Sequence, residues 1–445
     1  MSTSLDKNDR KKSGRPLLLV NARIVDPAAK RDERGGILVE NGLIVDVGAQ
    51  VTRQNAPAEA EIVDCGGHVL IPGLVDMRVQ LREPGEEHQE TIATGSLAAA
   101  AGGVTSMVCL PNTHPIIDDV SGVEYIARRA RETKGAKIYC YGALTKGLNG
   151  RDLVEMGMLS EFGALGFTDA LHAVADAQVM RRALYYARTF DLLIVQHPEE
   201  PTLAAGGAMN NGELATRIGL PGIPACAEVM MIERDLHLVR MSGARYHVAH
   251  VSTAAAVEAI RRAKQEGLRV TCDTAPPYFS LNENEIGDYR TFAKLSPPLR
   301  GESDRRAVAA AVAEGIIDCI ASDHAPHDVE SKRVPFVQAA AGIVGLETLL
   351  PVSLELYHKG SLTLLDLLKC LTSRPAEILG LPQGRLAKGA PADMVLIDLD
   401  KPRRIDVASF KSKSKNSPYD GRPVQGAVLQ TFVDGRLVFA AEGQG

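Results

Sequence analysis

Tyr246-His247-Val248-Ala249-His250-Val251-Ser252 is an apolar run of strand length that ends on polar residues. A helical segment at residues 254–266 follows it, and a second strand-length run occupies residues 269–274. The same alternation fills the middle of the chain. Runs at 69–76, 105–110, 137–142, 166–169 and 192–197 precede helical stretches at 91–101, 120–133, one ending near Phe162, 175–189 and, after a long loop, 225–242. A run at 318–323 closes the series. Eight units of this kind predict α/β architecture with a TIM-like (β/α)8 barrel, whose chemistry sits at the C-terminal ends of the strands.

The two ends of the chain read differently. Short β-type runs occupy residues 17–25, 36–39, 43–47 and 62–64, and again 393–398, 427–433 and 436–439. Asn41-Gly42 and Asp434-Gly435 are strong hairpin turns, because both positions of such a turn need φ above zero. The expected plan is a small β-sandwich made by residues 16–70 and 385–445, enclosing a barrel at 71–384. Residues 1–15 are polar, lack the apolar stretch of a secretory signal, and are expected to form a disordered tail.

Composition narrows the class. The 445 residues are 45% hydrophobic and 24% charged, as in a soluble globular protein with a full core. A net charge of −5 speaks against a nucleic-acid surface. No unbroken apolar stretch approaches a membrane span. The seven cysteines are widely spaced without a CxxC pair, which predicts buried thiols in a reducing, cytoplasmic compartment. Two further features carry less. The glycine-rich Gly206-Gly207-Ala208-Met209-Asn210-Asn211-Gly212 lacks a Walker lysine and reads as a flexible loop, and the basic residues 401–404 and 411–415 read as a solvated face.

Polar residues fall where a barrel places chemistry. Asp76, Asn112, Asp169, His197, His250 and Asp323 each lie at or just past a strand end. Singly, such residues often only cap helices or close loops. Six together point to one shared site.

The stretch Ile71-Pro72-Gly73-Leu74-Val75-Asp76 resembles the opening of the amidohydrolase superfamily. Leu81-Arg82-Glu83-Pro84-Gly85, Pro111-Asn112-Thr113, Pro297-Pro298-Leu299-Arg300, Ser322-Asp323-His324-Ala325-Pro326-His327 and Ser414-Lys415-Asn416-Ser417-Pro418-Tyr419 resemble the longer, bacterial type of dihydroorotase. The likeness runs from about Leu17 to the end. It implies reversible hydrolysis of a cyclic amide, dihydroorotate to N-carbamoyl-aspartate, in pyrimidine synthesis. It also implies zinc that activates water, a carboxylate that moves the proton, and cationic or amide groups that hold the substrate carboxylate. On that resemblance Asp323 is the catalytic carboxylate, and Arg82, Asn112 and His327 are substrate contacts. Asp169, His197 and His250 are remnant metal ligands.

The chain departs from the family at the metal. The family's His-x-His after the first strand is Arg78-Val79-Gln80 here. Glutamine is a poor zinc ligand and arginine is none. The family's Asp-Asp-Gly is Thr168-Asp169-Ala170, a His-His pair is Pro277-Tyr278, and an Asn is Ser296. Arg78 is expected to stand near Asp323 and Asp169 as the cation that buried carboxylates need, and to pull down the Asp323 pKa. His197 and His250 then either hold a single zinc with Asp169 or are hydrogen-bonded interior histidines; two zinc ions are not expected. The favoured expectation is a catalytically impaired protein acting as structural partner of aspartate carbamoyltransferase, the role that the resemblance gives to relatives lacking His-x-His. The alternatives are an active cyclic amidohydrolase with a reduced metal site, and a sensor of a small carboxylate ligand. A homo-oligomer is compatible with all three.

Overall fold

The computed structural model describes residues 15–442, so all but the last residue of the expected tail lies outside the described residues. Eight parallel strands make the barrel. They are β1 (Leu74–Val79), β2 (Val104–Cys109), β3 (Lys137–Gly142), β4 (Ala164–Phe167), β5 (Leu193–Gln196), β6 (Arg245–Val248), β7 (Val270–Thr274) and β8 (Cys319–Ile320). They pair in sequence order from β1 to β8. A parallel bridge between Val79 and His324, with Gln80 N donating to His324 O at 2.8 Å, brings the two edges together. The structure is thus the TIM-like barrel expected from the alternating pattern.

Two of the barrel helices show how a capped start combines with one apolar face. Thr253 caps helix Ala254–Gln265 by accepting from Ala256 N, and the helix buries Ala256, Val257, Ala259, Ile260 and Ala263. Asp176 caps helix Ala177–Thr189, which buries Val179, Met180, Ala183, Leu184 and Ala187. Each buried Val, Leu or Met side chain contributes roughly 1.5–3 kcal/mol to holding helix on barrel.

Strands from both chain ends share a second sheet. Its order is Arg436–Ala440, Pro423–Val433, Met394–Arg404, Val69–Pro72, Leu17–Asp26, Arg31–Glu40 and Leu43–Gly48, with Glu61–Asp64 also paired to Leu17–Asp26. Leu19, Ile24, Ile37, Leu70, Met394, Leu396 and Phe432 form one apolar cluster across its halves, as in a β-sandwich. Lys137 ties this sheet to the barrel through Asp393, at 2.8 Å, and Asp434, at 2.6 Å.

Four details differ from the sequence reading. The run at 69–76 holds two strands. Val69–Pro72 pairs with Met394–Arg404 in the terminal sheet, and Leu74–Val79 opens the barrel. Gly73 is the hinge between them; a Cβ there would sit 2.0 Å from Thr105 Oγ1. The run at 318–323 supplies only two strand residues, Cys319–Ile320, and the backbone beyond them reaches φ +50° at Asp323. The glycine-rich segment is packed, not loose. Met209–Asn210 pairs with Gly222–Ile223, and Arg300 Nη1 donates to Asn210 Oδ1 at 3.2 Å. Cys226 is exposed, whereas the other six cysteines are buried free thiols.

Candidate active site

Among the non-glycine residues at the barrel mouth, Arg82 (φ +60°), Ala170 (+59°), His250 (+37°) and Asp323 (+50°) hold left-handed backbone. Each such residue costs on the order of 1–3 kcal/mol, and such strain concentrates at functional sites. Here it turns strand-end side chains toward one another.

Asp323 is the centre of the resulting chain of contacts. Arg78 Nε donates to Asp323 Oδ1 at 2.9 Å, and Arg78 Nη2 donates to Ala170 O at 3.1 Å. His250 Nδ1 lies 3.1 Å from Asp323 Oδ2, and His250 Nε2 lies 2.7 Å from His197 Nδ1. Burial pushes the Asp323 carboxyl up, but His250 and then Arg78 outweigh it and hold it below the usual carboxylate range. Burial, and then Arg78, push His250 below the usual histidine range. An ionised Asp323 can only accept, so His250 Nδ1 carries the proton, His250 Nε2 accepts, and His197 Nδ1 donates. His197 Nε2 points to Glu199 Oε2, 3.7 Å away.

A cavity of about 1010 Å³ opens beside this chain, with Arg82, Glu86, Asn112, His172, His197 and Glu199 on its walls. Arg82 Nε donates to Pro326 O at 3.1 Å, and Nη1 donates to Glu86 Oε2 at 3.1 Å. The turn that carries Glu86 requires Gly85 at φ +107°, where a Cβ would lie 2.5 Å from the His114 side chain. Asn112 Nδ2 donates to Gln80 Oε1 at 3.1 Å. His327 stands beside Arg82, with its Nε2 2.9 Å from Ala341 O and 3.4 Å from Arg82 Nη2, outside the cavity wall. The trio Arg82, Asn112 and His327 is therefore not one surface: two members face the cavity and the third backs Arg82.

Asp169 does not join His197 and His250. Its Oδ1 accepts from Leu144 N at 3.1 Å and Thr145 N at 2.8 Å, and its Oδ2 accepts from Thr145 Oγ1 at 2.5 Å. Both oxygens are used to fix the turn after β3. Arg78 accordingly reaches Asp323 and the carbonyl next to Asp169, not the Asp169 carboxylate.

The donor set does not fit the pair of zinc ions that the family resemblance implies. A guanidinium is bonded to Asp323, Gln80 is bonded to Asn112, Asp169 is engaged by Thr145, and the two histidines bond each other. Among the described residues no group of three or more His, Cys, Asp or Glu side chains is arranged to hold a metal ion.

Sequence reasoning missed a supporting layer. Asp273, on β7, accepts from His250 N at 2.7 Å and lies 3.0 Å from His247 Nε2, so it fixes the backbone that aims His250. Asp76, one of the six strand-end residues that the sequence assigned to the shared site, accepts from Ser322 N and Arg78 N, both at 3.1 Å, and burial lifts its carboxyl to about 7. It supports the site from below instead of facing the cavity. Glu86 and Glu199 were missed as well; the His-x-Glu spacing of His197 and Glu199 was the one available signal for the latter.

Amidohydrolases are the class that this barrel and its strand-end site define, and the Amidohydrolase family matches residues 225–439. The Dihydro-orotase-like family matches residues 67–256. Proteins named dihydroorotase align along nearly the full length. One from Anaplasma phagocytophilum is 50% identical over 426 residues, 95% of each chain, and one from Syntrophotalea carbinolica is 45% identical over 95% of this chain and 99% of its own. The chain belongs to the dihydroorotase family. Its fold is also that of the L-hydantoinase (dihydropyrimidinase) from Arthrobacter aurescens, with TM-score 0.84 and 26% identity over 95% of this chain and 96% of that one. The dihydropyrimidinase from Brevibacillus agri has the same fold, with TM-score 0.82 and 23% identity over 96% and 95% of the two chains. Among the described residues no helix is long and apolar enough to cross a membrane.

Proposed function

We propose that this chain acts as a dihydroorotase of pyrimidine synthesis in the cytoplasm, opening and closing the cyclic amide of dihydroorotate. The observation that carries this reading is 45–50% identity, over 95% of the chain, to proteins named dihydroorotase. In it, Arg82 and Asn112 hold the substrate carboxylate on the cavity wall. Asp323 stays ionised, takes the proton of the attacking water and returns it to the leaving nitrogen. His250, fixed by Asp273, orients Asp323, and His197 lies at the cavity edge. Arg78 holds a permanent positive charge against Asp323.

A second reading is favoured by Arg78 itself. A zinc ion lowers the pKa of bound water to about 7. A guanidinium has no coordination site and leaves water unactivated. On this reading the chain is catalytically impaired and is retained as a structural partner of aspartate carbamoyltransferase.

The deciding experiment measures dihydroorotate turnover by the purified chain, with zinc added and with chelator, together with its co-elution with aspartate carbamoyltransferase. Turnover at enzymatic rates supports the first reading. Turnover no faster than a heat-inactivated control, with stable co-elution, replaces it by the second.

A further inference from the structure

The pocket that would hold the substrate carboxylate already contains a carboxylate. Glu86 Oε2 lies 3.1 Å from Arg82 Nη1, and among the described residues it is the only carboxylate within ion-pair distance of Arg82. The other hydrogen-bonded neighbours of that guanidinium, Pro326 O and His327, carry no negative charge, and the Asp328 carboxylate acts on it only from beyond ion-pair distance; burial followed by Arg82 itself drives the His327 pKa down to about 3. Arg82 is 7% exposed and Glu86 is 26% exposed, so the cation is fixed in the wall while its partner reaches in from the rim. Glu86 stands on a short turn, its N donating to Arg82 O at 2.7 Å, and both residues border the cavity.

We propose that Glu86 is a built-in competitor for Arg82 and sets how strongly the site holds a carboxylate ligand. A carboxylate binds arginine best through two parallel N–H···O contacts, and Nη1, one arm of that fork, is taken by Glu86. An incoming anion must turn Glu86 outward to solvent or share one guanidinium with a second negative charge. Ligands without a carboxylate meet no such competition. Glu86 therefore weakens binding of carboxylate ligands selectively and eases their release. This inference rests on the reading of the cavity as a dihydroorotate site.

The test uses the full chain and two planar probes, orotate and its carboxylate-free counterpart uracil, with binding measured by calorimetry. Partly exposed ion pairs of this spacing are worth little, so Glu86→Gln should tighten orotate by about two- to fivefold and leave uracil unchanged. Glu86→Ala should do the same, and Glu87→Gln, on the exposed neighbour, should not. Orotate affinity that is equal or lower in Glu86→Gln overturns the inference while leaving the substrate reading intact. If neither form binds orotate, the substrate reading fails, and malonate becomes the probe. Tighter malonate binding by Glu86→Gln then upholds the competition, and unchanged binding ends it.

Discussion

Arg78 Nε and Asp323 Oδ1 lie 2.9 Å apart although 245 residues separate them in the chain. They join the first barrel strand to the loop after the last, and Arg78 is only 2% exposed. Removing the cation leaves the largely buried Asp323 carboxylate held by His250 Nδ1 without a positive charge beside it, which costs up to about 3–5 kcal/mol. Arg78→Met should therefore lower unfolding stability by up to that amount in urea denaturation. Arg78→Met with Asp323→Leu should recover much of the loss, because a matched apolar pair needs no counter-charge. Equal stability of the single variant and the parent chain would show that solvent or another group already neutralises Asp323.

The same pair decides metal binding. Arg78→His with Gln80→His removes the guanidinium and supplies two imidazoles beside His197 and His250. The double variant should retain more zinc after gel filtration than the parent chain, measured by elemental analysis. Its zinc should remain weakly held, because Asp169 is already committed to Leu144 N, Thr145 N and Thr145 Oγ1. Adding Thr145→Val frees one Asp169 oxygen and should raise retention further. A parent chain that keeps a full equivalent of zinc contradicts the assignment of Arg78 to that space.

Acid should destabilise the chain partly through His327. Burial first, and then Arg82 and Lys332, hold its folded pKa down to about 3. An unfolded histidine titrates near 6.5. Between about pH 6.5 and 3 the unfolded chain binds the extra proton, so this contribution falls steadily as the pH drops through that window and is complete above it. Melting temperature plotted from pH 7 to pH 4 should fall less steeply in His327→Gln than in the parent chain. Parallel curves would mean that His327 becomes protonated in the folded protein without penalty.

Much of this architecture was legible from local physics. Asn41 and Gly42 have φ of +52° and +78°, and Asp434 and Gly435 have +48° and +71°, which is what a two-residue hairpin turn demands. The strand-end placement of His197, His250 and Asp323 followed from the alternating pattern, because the barrel fixes which end of a strand faces the mouth. What remained hidden was set by tertiary contacts. A continuous apolar run cannot show that Val69–Pro72 and Leu74–Val79 belong to different sheets. Nor could a glycine-rich segment disclose that Arg300, 90 residues away, holds Asn210. Asp169 reads as a ligand by position, and only the fold shows its oxygens turned to Thr145. Glu86 looks like a solvated turn residue until Arg82 is seen beneath it.

Lys137 supplies the last test, because it carries the charge balance between barrel and terminal sheet. Its Nζ donates to both oxygens of Asp393, at 3.0 and 2.8 Å, and to Asp434 at 2.6 Å. Asp393 is 1% exposed and Asp434 is 44% exposed, so the two carboxylates do not count equally. Lys137→Met keeps most of the side chain's bulk but leaves Asp393 buried beside Asp434 with no cation. The expected cost is about 3 kcal/mol in urea denaturation. Asp434→Asn removes only the exposed partner and should cost less than about 1 kcal/mol. Lys137→Met with Asp393→Asn should lie between the two, since the neutral amide still accepts from Asp434 N, as Asp393 Oδ1 now does at 2.9 Å. If Asp434→Asn costs as much as Lys137→Met, the buried carboxylate is not what makes this junction depend on its lysine.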